Sequence, residues 1–137
     1  MPGDILLKMD CRAKVIMKGR QEVYLVDYSG IREAQLFKDA IKETGKFRER
    51  LLRSGKKDLL LLVDVTGSEL NLEIYDKLKR HGLLTKPVTR KEAVVGMKKF
   101  RFIVNVFNIA TGMSFKMFDT REDAMDWLLG ESVAVSG

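Results

Sequence analysis

The run Asp58-Leu59-Leu60-Leu61-Leu62-Val63-Asp64 sets five consecutive aliphatic residues between two carboxylates. A strand with one wet face alternates apolar and polar residues, so a short unbroken aliphatic run requires cover on both sides. Strands of that kind lie in the middle of α/β sheets, with helices packed on their faces. The run is therefore predicted to be the central strand.

The segments on either side supply what such a strand needs. Ala13 to Met17 and Val23 to Val26 are β-rich and flank Lys18-Gly19-Arg20-Gln21, where Gly19 can take the positive φ of a hairpin turn. From Ile31 to Leu52, Phe37, Ala40, Ile41, Thr44, Phe47 and Leu51 recur at helical spacing. Gly45 costs that helix about 1 kcal/mol or splits it in two. After the central strand, Thr66 to Glu69 reads as a capping box opening a helix with Leu70, Ile74, Tyr75 and Leu78 inward and Gly82 as its C-terminal cap.

Ala93 to Met97 reads as a strand, Lys98 to Thr111 as a helix, Ser114 to Phe118 as a last strand, and Thr120 to Leu129 as a last helix with Trp127 in the core. In the Lys98 to Thr111 helix, Phe100, Ile103, Val104 and Phe107 form one apolar face, and Arg101, Asn105 and Asn108 a narrow polar stripe. Phe102, Val106 and Ile109 form a second apolar flank, which calls for contact with a partner, a ligand or a second copy. The expected fold is a single-domain α/β open sheet over residues 1–137. It has about five strands, an N-terminal hairpin with the rest mostly parallel, and about four helices.

Three of these segments together suggest a family. LLLLVDVTGSELN, KEAVVGMKKFRFIVNVFNIATG and FKMFDTREDAMDWLLGE, taken in that order, resemble the SpoIIAA-like STAS proteins over about residues 23 to 131. The sheet of that family overlaps structurally with CRAL-TRIO lipid-binding domains. The resemblance implies a module that binds partner proteins. In some members a Ser or Thr at the start of the helix after the central strand is phosphorylated. The matching place here is Thr66-Gly67-Ser68, which lacks an Asp-Ser-Ser-Gly-type sequence.

Chemistry-bearing residues are sparse. Thr66 and Ser68 are candidate regulatory phosphosites, with capping of the following helix as the structural alternative. Asp27, Asp64 and Asp119 each end a predicted strand, and Asp27-Tyr28-Ser29-Gly30 is echoed by Asp64-Val65-Thr66-Gly67. Carboxylates at strand ends can hold Mg²⁺ or can accept hydrogen bonds from their own turns; the latter is the expectation, so no metal is assigned. His81, the only histidine, is expected at a helix end beside Gly82. No nucleophile elbow, phosphate loop, dinucleotide fingerprint or His-rich metal motif occurs, so neither enzymatic activity nor a cofactor is expected.

Charge and cysteine content narrow the setting. One cysteine, Cys11, precludes an intrachain disulfide, and no apolar stretch is long enough to span a bilayer, so a cytoplasmic location is expected. The net charge of +6 is uneven. Lysine and arginine crowd residues 46–57 and 77–101, where Glu92 is the only acid of the second stretch. These stretches can attract anions, but with the aromatics inward they give no base-stacking platform, and nucleic acid is not the expected partner. Two functions remain. One is a non-enzymatic STAS-like interaction module that binds a protein partner or itself as a homodimer; the other is a carrier or sensor of an apolar or anionic small molecule or lipid.

Overall fold

The computed structural model describes residues 12–97, Asn105 and residues 115–130. Ala13–Lys18 (β1) and Gln21–Asp27 (β2) form the expected antiparallel hairpin. Helix α1 (Ala34–Arg53) leads to β3 (Leu59–Asp64), and α2 (Leu72–Thr85), with a 3₁₀ turn at Lys86–Val88, leads to β4 (Thr89–Val95). Strand β5 (Phe115–Phe118) and helix α3 (Arg121–Leu129) follow. The sheet runs β1-β2-β3-β4-β5, with β2 to β5 all parallel. No helix of the described residues is long and apolar enough to cross a membrane.

The aliphatic run is the middle strand, and every residue of β3 is buried. Alternate side chains go to opposite faces. Leu59, Leu61 and Val63 join Tyr24, Val26 and Val94 under Phe37, Ile41 and Phe47 of α1 and Ile74 and Tyr75 of α2. Leu60 and Leu62 join Val23, Leu25, Ala93 and Val95 under Ala124 and Leu128 of α3. Because β2, β3 and β4 succeed one another in one direction, right-handed crossovers put α1 and α2 on the same face. The other face is covered by α3, with Trp127 partly buried at its margin.

Five local expectations are corrected. Gly45 does not split α1. It is buried inside one continuous helix, and a Cβ there would stand 2.4 Å from Cε1 of His81, so its missing side chain is where α2 comes close. Thr66 to Glu69 does not open α2, which begins at Leu72 with Asn71 as its cap, Asn71 Oδ1 accepting from Ile74 N at 2.8 Å. Gly82 is not a C-terminal cap but a buried residue within α2, and His81 is likewise inside the helix rather than at its end. Strand β4 starts at Thr89, not Ala93.

The described residues contain three α-helices where about four were expected. Asn105 is helical and exposed, and the rest of the expected Lys98 to Thr111 helix lies outside the described residues. Phe102, Val106 and Ile109 lie outside the described residues.

Leu61, 1% exposed and in the first core, should cost about 2–5 kcal/mol when replaced by Ala. Leu83→Ala, on the surface of α2 at 38% exposure, should cost less than about 1 kcal/mol. Urea melts of the two variants check the contrast.

Candidate functional site at the carboxyl edge of the sheet

In an open parallel sheet the strand carboxyl ends are where binding groups gather. Here β2 and β3 end in register on Asp27 and Asp64, so their side chains share the face that α3 covers. Each carboxylate forms the same turn. Asp27 Oδ1 accepts from Ser29 N at 2.9 Å, and Asp64 Oδ1 accepts from Thr66 N at 2.8 Å. The sequence echo is thus a repeated Asp-anchored turn, with Gly30 and Gly67 both at positive φ. Ser29 Oγ adds a second bond to Asp27 Oδ1 at 2.6 Å.

The outer carboxylate oxygens meet one cation. Arg121, the first residue of α3, donates from Nε to Asp64 Oδ2 at 2.5 Å and pairs through a terminal nitrogen with Asp27 Oδ2 at 3.1 Å. Asp64 is 5% exposed and Arg121 40%, so the pair is half in water. Burial alone would push the Asp27 carboxyl up, but the Ser29 and Arg121 hydrogen bonds hold it below its ordinary value. Asp119 is exposed and stands outside this arrangement. Among the described residues no group of three metal-ligating side chains could hold an ion.

Backbone hydrogen bonds continue the sheet beyond its strands and fix the loops. Tyr28 N donates to Asp64 O at 2.7 Å, Gly30 N to Thr66 O at 2.9 Å, Val65 N to Val95 O at 2.9 Å, and Gly96 N to Phe118 O at 3.1 Å. Gly96 has φ +87°, and a Cβ on it would stand 2.7 Å from Cα of Thr66. The loop carrying Thr66 therefore lies directly on the backbone that follows β4.

The two candidate phosphosites differ once placed. Ser68 Oγ is spent on Val65 O at 2.5 Å. Thr66 is exposed, and among the described residues its hydroxyl makes no hydrogen bond. Neither caps α2. Around them the rim combines polar and apolar groups. Arg32 pairs with Glu69 at 3.1 Å, Lys38 with Glu73 at 2.9 Å, and Leu36 and Leu72, in the first turns of α1 and α2, are 55% and 67% exposed.

A second polar group lies inside the domain. Arg48 on α1 donates to Thr85 Oγ1 at 2.7 Å and stands 3.6 Å from Glu92 on β4, with both side chains less than a tenth exposed. Among the described residues Arg48 Nε and Glu92 Oε1 have no hydrogen-bond partner. They border a cavity of about 30 Å³ lined also by Val63, Tyr75, Leu78, Val94, Met97 and Phe115. Room for a water or two is far short of the roughly 300 Å³ or more that a drug-sized or larger ligand occupies. The sequence held the signal for this pair: Arg48 falls on the inward face of α1, and Glu92 is the lone acid of a basic stretch.

The fold is that of a SpoIIAA-like α/β domain. It matches the crystal structure of an uncharacterized protein of the DUF3478 family, with a SpoIIAA-like fold, from Shewanella loihica PV-4. The TM-score is 0.61 at 19% sequence identity, over 85% of this chain and 91% of that one. No protein-family model and no curated protein sequence matches the chain. A likeness at this identity establishes the fold, and function has to be argued from the site.

Gly96→Ala is expected to destabilise by about 2 kcal/mol or more, because the residue must hold a positive φ while its Cβ meets backbone. Arg121→Met should cost about 1 kcal/mol, less than the loss of a fully buried pair, since water can replace the exposed guanidinium. Chemical denaturation of each variant gives these values.

Two pH windows are expected. His81 is half-buried, and its pKa is lowered by burial and by the nearby positive charge of Arg48 and Lys77, against the opposing pull of Glu49. The unfolded chain then binds a proton near pH 6.5 that the folded chain refuses, so stability declines as the pH falls below about 6.5. Asp27, whose folded pKa is lowered, adds a second decline only below about pH 4. His81→Gln should flatten the first window and leave the second, as read from melting temperature against pH.

Proposed function

We propose that this domain is a non-enzymatic interaction module that binds a protein partner through the carboxyl edge of its sheet. The observation that carries this reading is Thr66, an exposed residue with an uncommitted hydroxyl, on a loop pinned from three sides. Asp64 holds its N–H, Gly30 donates to its carbonyl, and Gly96 packs against its backbone. A loop fixed before binding loses little entropy on association. Leu36 and Leu72 on the same rim supply apolar surface that desolvation by a partner would bury.

The edge is also suited to regulation. A phosphate on Thr66 would add about −1.5 to −2 charges to a surface where binding depends on fit. The Asp27–Arg121–Asp64 cluster supports the loops rather than supplying reactive groups, since its carboxylates are tied to turns and to the guanidinium. Self-association through Phe102, Val106 and Ile109 is a second mode of partner contact under the same reading.

The test compares wild-type chain, Leu36→Asp/Leu72→Asp and Thr66→Glu as immobilised baits against extract of the native host, with circular dichroism as a fold control. A partner retained by wild type should be lost by the leucine variant and weakened by Thr66→Glu, at unchanged melting temperature. Identical retention by all three baits would overturn the assignment of this edge. For self-association, Phe102→Asp should lower the mass seen in analytical ultracentrifugation.

A further inference from the structure

Beside the carboxyl edge, with which it shares Lys38, α1 and α2 border an open groove of about 760 Å³. The helices meet where Gly45 makes room for His81, and cationic side chains stand around that crossing. Lys38, Lys42 and Lys46 line the α1 side, one helical turn apart, and Lys77 and Arg80 line the α2 side. Glu73 pairs with Lys38 and Asp76 with Arg80. Among the described residues Lys42, Lys46 and Lys77 have no acidic partner.

Two acids also border the groove, and both are engaged. Asp39 accepts from Gln35 at 3.0 Å, and Glu49 stands 4.0 Å from Arg53. Lys42 and Lys46, four residues apart on α1, repel each other, and Asp39 and Glu49, each three residues from one of them, offset this only in part because both acids have other partners. The sequence stretches 46–57 and 77–101 look like separate basic runs, but the fold brings Lys46 of the first and Lys77 and Arg80 of the second to one concavity. His81, from which no hydrogen bond is made to the rest of the described chain, lies at its floor.

We propose that this groove binds a soluble anion carrying two or more phosphate groups. A concave surface with cations on two facing helices matches a compact polyanion better than a flat bilayer, which meets a planar or convex basic face. Among the described residues no tyrosine, tryptophan or phenylalanine lines it, so recognition falls on phosphate rather than on a stacked base. Lysine ammonium groups act as point charges toward phosphate, and three of them without acidic partners can be neutralised together by one such ligand. This inference is independent of partner binding at the carboxyl edge.

The experiment titrates the isotopically labelled 137-residue chain with inorganic triphosphate at physiological salt and follows amide shifts. Wild type should saturate, with the changes centred on residues 42–46 and 77–81. Lys42→Glu/Lys46→Glu, on the exposed side of α1, should weaken binding by about tenfold or more. Lys77→Gln should weaken it less, and Lys56→Glu/Lys57→Glu, at the opposite end of the sheet, should leave it unchanged. Absence of saturation, or equal loss in the Lys56/Lys57 control, would overturn the site in favour of diffuse charge attraction. So would binding to anionic phospholipid vesicles or to a single-stranded oligonucleotide without binding to triphosphate.

Discussion

Burial of β3 on both faces is the constraint from which the rest of the architecture follows. Five aliphatic side chains in a row leave no solvent face, so the strand can be stable only with neighbours on both edges and helices on both sides. Leu61 and Val63 need α1 and α2, while Leu60 and Leu62 need α3. Once β2, β3 and β4 are laid side by side, right-handed crossovers commit both early helices to one face. The short α3 then has to cover the other, and it does so with Ala124 and Leu128, its fully buried residues.

That same geometry makes the carboxyl edge a site. A parallel sheet brings the ends of successive strands together, and Asp27 and Asp64 arrive side by side because the β2–β3 register places them so. Two carboxylates in contact would repel, and the fold answers with separate turns for the inner oxygens and one shared guanidinium for the outer ones. The consequence is a support of fixed charge beneath loops that reach solvent. Thr66 is held by its backbone, so its side chain is left uncommitted.

Much of the fold was legible from patterning alone. The central strand follows from its unbroken aliphatic run, the hairpin from two β-rich segments around Gly19, α1 from its 3.6-residue period, and α3 from its amphipathic pattern and from Thr120, whose hydroxyl does accept from Asp123 N at 3.1 Å. The misreadings share a cause. Thr66-x-x-Glu69 has the composition of a capping box, but the Asp64 turn captures the Thr66 N–H first, and Asn71 five residues on takes the capping role. Gly82 has the look of a C-terminal cap and Gly45 that of a costly or interrupting residue, whereas both are buried within helices, Gly45 where the His81 side chain of α2 takes the space beside it. Arg121 could not be paired with Asp27 and Asp64 from sequence, because the strand register that joins them is a tertiary fact.

The buried Arg48–Glu92 pair shows a different kind of tension. An ion pair removed from water returns its desolvation cost only when its remaining donors and acceptors are satisfied, and here Arg48 Nε and Glu92 Oε1 are not. The pair is weak as a source of stability. What it does supply is position: Arg48 also donates to Thr85, so a single side chain on α1 ties together the end of α2 and the strand that follows it. Gly45 and Arg48, one turn apart on α1, therefore set the approach of α2 by complementary means, one by leaving space and the other by filling it with directional bonds. The spacing of the basic groove above them depends on both.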